Sequence, residues 1–198
     1  MPRGFIAAHS DYEVDAMRTP RGKPLFEEIG IEWSIPRIWP RGAKAPVPDE
    51  MSASKCVYAI VRNHGRQQRK NTIEYIGLAS HAKNRFANHP KARELADMRG
   101  ETALSFGCLS FIDRSASKKQ GNIKQTLEQV EHILIHALQP LSNDRKVWML
   151  PGAGKNPSRA WHIRNLGFRF SGQMPREIVF PWILIRPGRD RSLISAAT

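Results

Sequence analysis

The chain has 198 residues, with 31 Lys and Arg against 18 Asp and Glu, a formal net charge of +13. Two cysteines in apolar strand-like runs exclude a disulfide-built secreted scaffold, and the longest clean apolar run, IVFPWILI, is too short to cross a bilayer, so a soluble cytoplasmic domain with appendages is expected. A positive field of this size draws phosphate backbones through counterion release, which sets nucleic acid ahead of an anionic membrane; no basic amphipathic helix with a long apolar face is evident to lie on one.

Residues 1–50 open with MPRGFIAAHS, which lacks the apolar stretch of a secretion signal. They carry seven basic and eight acidic residues and are rich in Pro and Gly, whereas residues 51–198 carry 24 basic and ten acidic ones. This first part reads as a partly ordered arm ending in a Pro-rich linker at about 36–50. Its Trp33, Ile35, Ile38 and Trp39 are too apolar for a tether and are expected to dock on the following domain or on a partner subunit. KCVYAIVRN then reads as a strand, HGRQQRK as a basic connection and NTIEYIGLA as a second strand, together a long-looped antiparallel hairpin. Ser80 is placed to N-cap a helix over HAKNRFANH, and Pro90 to end that helix or start the next, PKARELADMR. TALSFGCLSFI is a third strand and DRSASKKQGN a loop. IKQTLEQVEHILIHALQ is the clearest helix, stopped by Pro140. Near the C-terminus EIVFPWILI reads as a strand, with Pro181 favouring an edge position.

On that long helix, at about 100° per residue, Ile123, Leu127, Val130, Leu134 and Leu138 share one face. Glu131 falls among them, while Glu128, His132 and His136 point to the polar side. An ionised carboxylate is costly to bury unless it is paired or binds a cation. Glu131 therefore has two readings: a buried salt bridge with an arginine, or a ligand for Mg²⁺, which is often held by one or two carboxylates with water and phosphate oxygens. His132 and His136 have zinc-like spacing, but the segment H-I-L-I-H lacks the glutamate of H-E-x-x-H, so a solvated face is the better reading. MLPGAGKNPS departs from a phosphate-binding P-loop at Met149 and Asn156 and reads as a loop.

Taken in order, these residues resemble the GIY-YIG nuclease superfamily, closest in pattern to its Eco29kI-like restriction endonucleases. Tyr75-Ile76-Gly77 keeps the second tripeptide, and Cys56-Val57-Tyr58 keeps the tyrosine of the first but not its glycine. Arg85 in KNRFANH matches the family's arginine, and His89 the histidine that some restriction members place one turn later. EHILIHALQPLSN supplies the metal-binding glutamate, Glu131, and the asparagine, Asn143. The resemblance covers about residues 54–146, and the 16 residues between Tyr58 and Tyr75 exceed the family's usual spacing. It implies an α+β fold: a small antiparallel β-sheet with three central strands, flanked by helices. The nuclease core would span 51–147, with the arm at 1–50 and a C-terminal extension at 148–198.

The activity implied is metal-dependent hydrolysis of DNA phosphodiester bonds, in a cytoplasmic enzyme of prokaryotic or phage origin. Glu131 would hold Mg²⁺, with Mn²⁺ able to substitute, and Arg85 would stabilise charge on the phosphate. Tyr58 would activate water, helped by nearby positive charge or His89; Tyr75 would orient water or phosphate, and Asn143 would bridge phosphate or fix the geometry of its neighbours. Duplex DNA is the favoured partner, with single strands as the alternative, and a homodimer is expected if both strands are cut. Charge and loop character select Arg62, Arg66, Arg69, Lys70, Lys83, Lys118, Lys119, Lys155 and Arg159 as nucleic-acid contacts. The competing readings are a structure-specific or single-strand nuclease of repair, recombination or phage defence, and a non-catalytic nucleic-acid-binding module.

Overall fold

The hairpin around the two tyrosines forms as its sequence directs. A computed structural model describes residues 14, 17–18, 21–64, 70–111, 123–149 and 160–180. In it β3 (Cys56–Asn63) and β4 (Thr72–Ala79) pair antiparallel. β5 (Glu101–Phe111) lies on the other side of β3, also antiparallel. Val57, Ala59 and Val61 of β3 face one way, into a cluster with Leu127, Val130, Ile133 and Leu134 of helix α3 (Ile123–Leu138). Cys56, Tyr58 and Ile60 face the other way, against Ala82 and Phe86 of α1 (Ala82–Ala87) and Ala92 and Leu95 of α2 (Pro90–Asp97). A strand covered on both faces needs an unbroken apolar run, and CVYAIV supplies one.

The architecture is α+β, but the sheet is larger than expected. Among the described residues it has seven strands in the order β4-β3-β5-β1-β6-β7, with the short β2 also against β5. β1 (Glu27–Trp33) and β2 (Arg37–Trp39) come from the segment read as an arm and linker; β6 (Trp161–Gly167) and β7 (Glu177–Phe180) come from the C-terminal part. β1 runs antiparallel to β5 but parallel to β6, so the sheet is mixed. Of the four apolar residues expected to dock, Trp33 is buried with its indole N–H on Asn165 Oδ1 at 3.0 Å, and Trp39 is buried with its N–H on the Ala43 carbonyl. Ile35 and Ile38 remain exposed. Among the described residues β7 pairs with β6 alone and forms the far edge; Pro181 lies outside them.

Two local corrections concern the segment after β4. HAKNRFANH is not one helix: α1 ends at Ala87, and His89 is extended (φ −104°, ψ 94°) ahead of Pro90, which opens α2. The ring of a proline disfavours helical geometry in the residue before it, so the break falls where it must. The N-cap of α1 is His81 rather than Ser80, and its side chain makes no capping bond. Within the hairpin, Ile60 faces Tyr75 while Val61 faces Ile73, leaving Glu74 as the extra residue of a β-bulge beside Tyr75. No helix among the described residues is long and apolar enough to cross a membrane.

Candidate active site

Tyr58 and Tyr75 project from neighbouring strands to the same face, their rings stacked at 6.1 Å with 23° between planes. Tyr58 lies opposite Gly77. A Cβ at Gly77 would overlap the Tyr58 hydroxyl and stand 2.5 Å from Cζ of that ring and 2.9 Å from Cε1 of Tyr75. Residue 77 is glycine because the phenol occupies the space a side chain would need. At the position of the missing first glycine, Cys56 is fully buried, and burial, with Cys108 adding, pushes its thiol up to about 12.

Two donors converge on the Tyr58 oxygen. Arg85 of α1 donates from Nε at 3.4 Å, and its guanidinium also interacts with the Tyr75 hydroxyl. His89 lies 2.7 Å away through Nε2. The direction of that bond follows from the other ring nitrogen. Nδ1 caps α2 by accepting from the Ala92 N–H at 3.2 Å, so the neutral ring carries its proton on Nε2 and donates it to Tyr58. Burial, reinforced by the charge of Arg85, lowers the His89 pKa to about 4, consistent with that neutral tautomer. His89 is therefore both a helix cap and a member of the tyrosine cluster. Although no single helix carries Arg85 and His89, they reach the same atom.

These contacts pull the phenol two ways. Burial raises the Tyr58 pKa well above that of a free tyrosine, with Tyr75 adding to the rise, Arg85 opposing it and the negative charge of Glu131 adding again. Burial would lower the Arg85 pKa, but the two tyrosine oxygens outweigh it and the net shift is upward, so the guanidinium stays charged. At rest Tyr58 is a neutral phenol whose oxygen accepts from Arg85 and His89. Its own proton is left to offer, and both donors are placed to stabilise the anion if that proton leaves.

Glu131, the carboxylate singled out on the long helix, is close enough to act electrostatically on Tyr58. Its side chain is 12% exposed, and its partner is a lysine rather than an arginine: Lys146 Nζ lies 2.5 Å from Oε2. No group of three or more His, Cys, Asp or Glu side chains gathers into a metal cage among the described residues. A cation here would have one carboxylate and would complete its shell with water and substrate oxygens. That donor set suits Mg²⁺ or Mn²⁺ and does not suit zinc. His132 and His136 lie on the polar side of α3, one and two turns beyond the exposed Glu128, but are not free in solvent. They are half-buried and bond to the carbonyls of Met149 (2.8 Å) and Val147 (3.0 Å), fastening the returning chain along α3.

Asn143 has a defined structural task. Its Oδ1 accepts from the Ile76 N–H and its Nδ2 donates to the Ile76 carbonyl, both at 2.9 Å, with the side chain buried. Of its two expected roles, the contacts serve the fixing of neighbouring geometry. Among the basic residues, Lys70 and Lys83 are exposed. Arg62 is not: it is 4% exposed, with its guanidinium on Met98 Sδ and the Arg99 carbonyl, so it is turned away from solvent. Arg66, Arg69, Lys118, Lys119, Lys155 and Arg159 lie outside the described residues. Sequence reasoning missed Lys146, whose only signal was a basic run just past Asn143. Comparisons with protein-family models, curated proteins and solved structures find no match to this chain.

Proposed function

We propose that this chain is a Mg²⁺-dependent endonuclease of GIY-YIG type that hydrolyses phosphodiester bonds in duplex DNA in the manner of a restriction enzyme, as a homodimer where both strands are cut. The observation that carries this reading is the convergence of Arg85 and His89 on the Tyr58 oxygen, with Tyr75 stacked beside it and the Glu131 carboxylate within electrostatic reach. The fold supports it through a β3–β4 hairpin that carries both tyrosines, with β5 as its third strand.

Hydrolysis requires water to lose a proton as its oxygen attacks phosphorus, while the bond to the leaving 3′ oxygen breaks and that oxygen takes a proton from solvent. Tyr58 accepts the water's proton in its phenolate form. Arg85 and the His89 N–H act on that form by bonding to its oxygen, and Arg85 remains cationic to face the phosphate. His89 is not itself the base, because its acceptor nitrogen is committed to Ala92 N–H. Asn143 holds β4, and hence Tyr75, in place through Ile76. Bound at Glu131, Mg²⁺ would supply positive charge to the scissile phosphate and the leaving oxygen.

The test is one incubation of the protein with plasmid, single-stranded DNA and RNA, each with Mg²⁺ or EDTA. Discrete duplex fragments with Mg²⁺ alone are expected. Glu131→Ala should abolish cleavage, and Arg85→Ala should reduce it by about a hundredfold or more, with DNA binding largely retained. Undiminished cleavage by Glu131→Ala sinks the assignment; cleavage of only one non-duplex substrate indicates the structure-specific role.

A further inference from the structure

The carboxylate assigned to the metal already has a cation on it. Lys146 Nζ sits 2.5 Å from Glu131 Oε2, a direct charge-assisted contact. The chain around Lys146 is built to keep it there. Pro140 is buried after the end of α3, and Asn143 pins the turn to β4 through the Ile76 backbone. On the far side, His136 and His132 hold the Val147 and Met149 carbonyls. Between these anchors Lys146 takes a left-handed backbone (φ 69°), a conformation that non-glycine residues adopt at a cost and that turns the chain back along α3. The ammonium is nevertheless not locked in, since the lysine side chain is 36% exposed and has solvent to move into.

We propose that Lys146 is the counterion Glu131 gives up when it binds a divalent cation, so that this lysine sets the metal affinity of the site. The inference rests on the reading of Glu131 as the metal ligand. A lysine and a dication cannot both lie against one carboxylate without strong mutual repulsion. Binding must therefore include the loss of the Lys146 contact, and the measured affinity is weaker by that amount. An ordinary structural salt bridge, remote from any cation site, would have no such effect.

The experiment is Mn²⁺ binding to the full-length, DNA-free protein, followed by calorimetry and by the electron-paramagnetic signal of free Mn²⁺, for wild type, Lys146→Met, Lys146→Asn and Glu131→Gln. Asparagine tolerates the left-handed backbone and guards against a folding defect in the methionine variant. Both lysine variants are expected to bind Mn²⁺ about tenfold more tightly than wild type. Glu131→Gln is expected to lose the site. Unchanged or weaker binding by both lysine variants, with Glu131→Gln still losing the site, overturns the role of Lys146 and leaves the Glu131 assignment standing. Wild-type affinity in Glu131→Gln overturns the metal assignment itself, and this inference with it.

Discussion

At the scale of single residues, the proposed chemistry turns on the Tyr58 oxygen. Its pKa is raised by burial, so only a small fraction is ionised near neutral pH, and that fraction grows tenfold with each pH unit. If Tyr58 is the base, kcat/KM should climb with a log-slope near one from about pH 7 to pH 9. His89, with its pKa near 4, stays neutral across that range and should add no inflection around the usual histidine value. Tyr58→Phe should abolish the climb along with the activity. A flat profile in the wild type would assign the proton to another group. Gly77 is the second deciding residue. Gly77→Ala drives a methyl into the Tyr58 ring. It should destabilise the protein by about 1–3 kcal/mol in urea unfolding and displace the phenol from Arg85 and His89. Loss of turnover with little loss of stability would show the displacement alone.

At the scale of elements, β4 is the informative one, because it lies at an edge of the sheet and carries Tyr75 and Gly77. An edge strand leaves a row of backbone groups without a ladder partner. Here the row is met piecemeal: Ser142 N–H bonds the Glu74 carbonyl, Asn143 serves both groups of Ile76, and Gln173 Oε1 accepts from Ile73 N–H. Asn143→Ala removes two of these bonds at once and should cost about 2–3 kcal/mol in denaturant melts. Asn143→Asp keeps the acceptor but not the donor and should fall between the two. Equal stability of all three proteins would remove Asn143 from this role. Much at this scale was legible in the sequence. The β-branched run CVYAIVR, the apolar spacing on α3 and Pro90 each act locally, so the strands around Tyr58, the long helix and the start of α2 all follow from short stretches. The clash of Glu131 with its apolar face was legible too, but its partner was not. Lys146 reaches it only because Asn143 and two histidines fold the chain back, and none of those contacts leaves a local pattern.

At the scale of the whole molecule, the sheet's extent was the part the sequence hid. Pairing between β1 and β6 joins Glu27 to Trp161 and Trp33 to Gly167, and neither strand carries a mark that names the other. Charge, by contrast, is additive and needs no fold to be read. With a net +13, DNA affinity should fall steeply with salt: about five phosphate contacts predict a slope near −4.5 in log K against log salt. A slope close to zero would place the basic residues away from the bound backbone.

The position of β1 has a consequence for how the protein is made. β1 lies between β5 and β6, so among the described residues β6 and β7, late in the sequence, are joined to the tyrosine hairpin's side of the sheet through a strand from its early part. Contacts that span most of a chain close large loops and form slowly. During synthesis β1 leaves the ribosome long before β6, and in the interval it presents a bare edge along Glu27–Trp33. That edge is where a stalled or truncated chain would aggregate, and a length series ending before Trp161 should show it as a sharp loss of soluble protein.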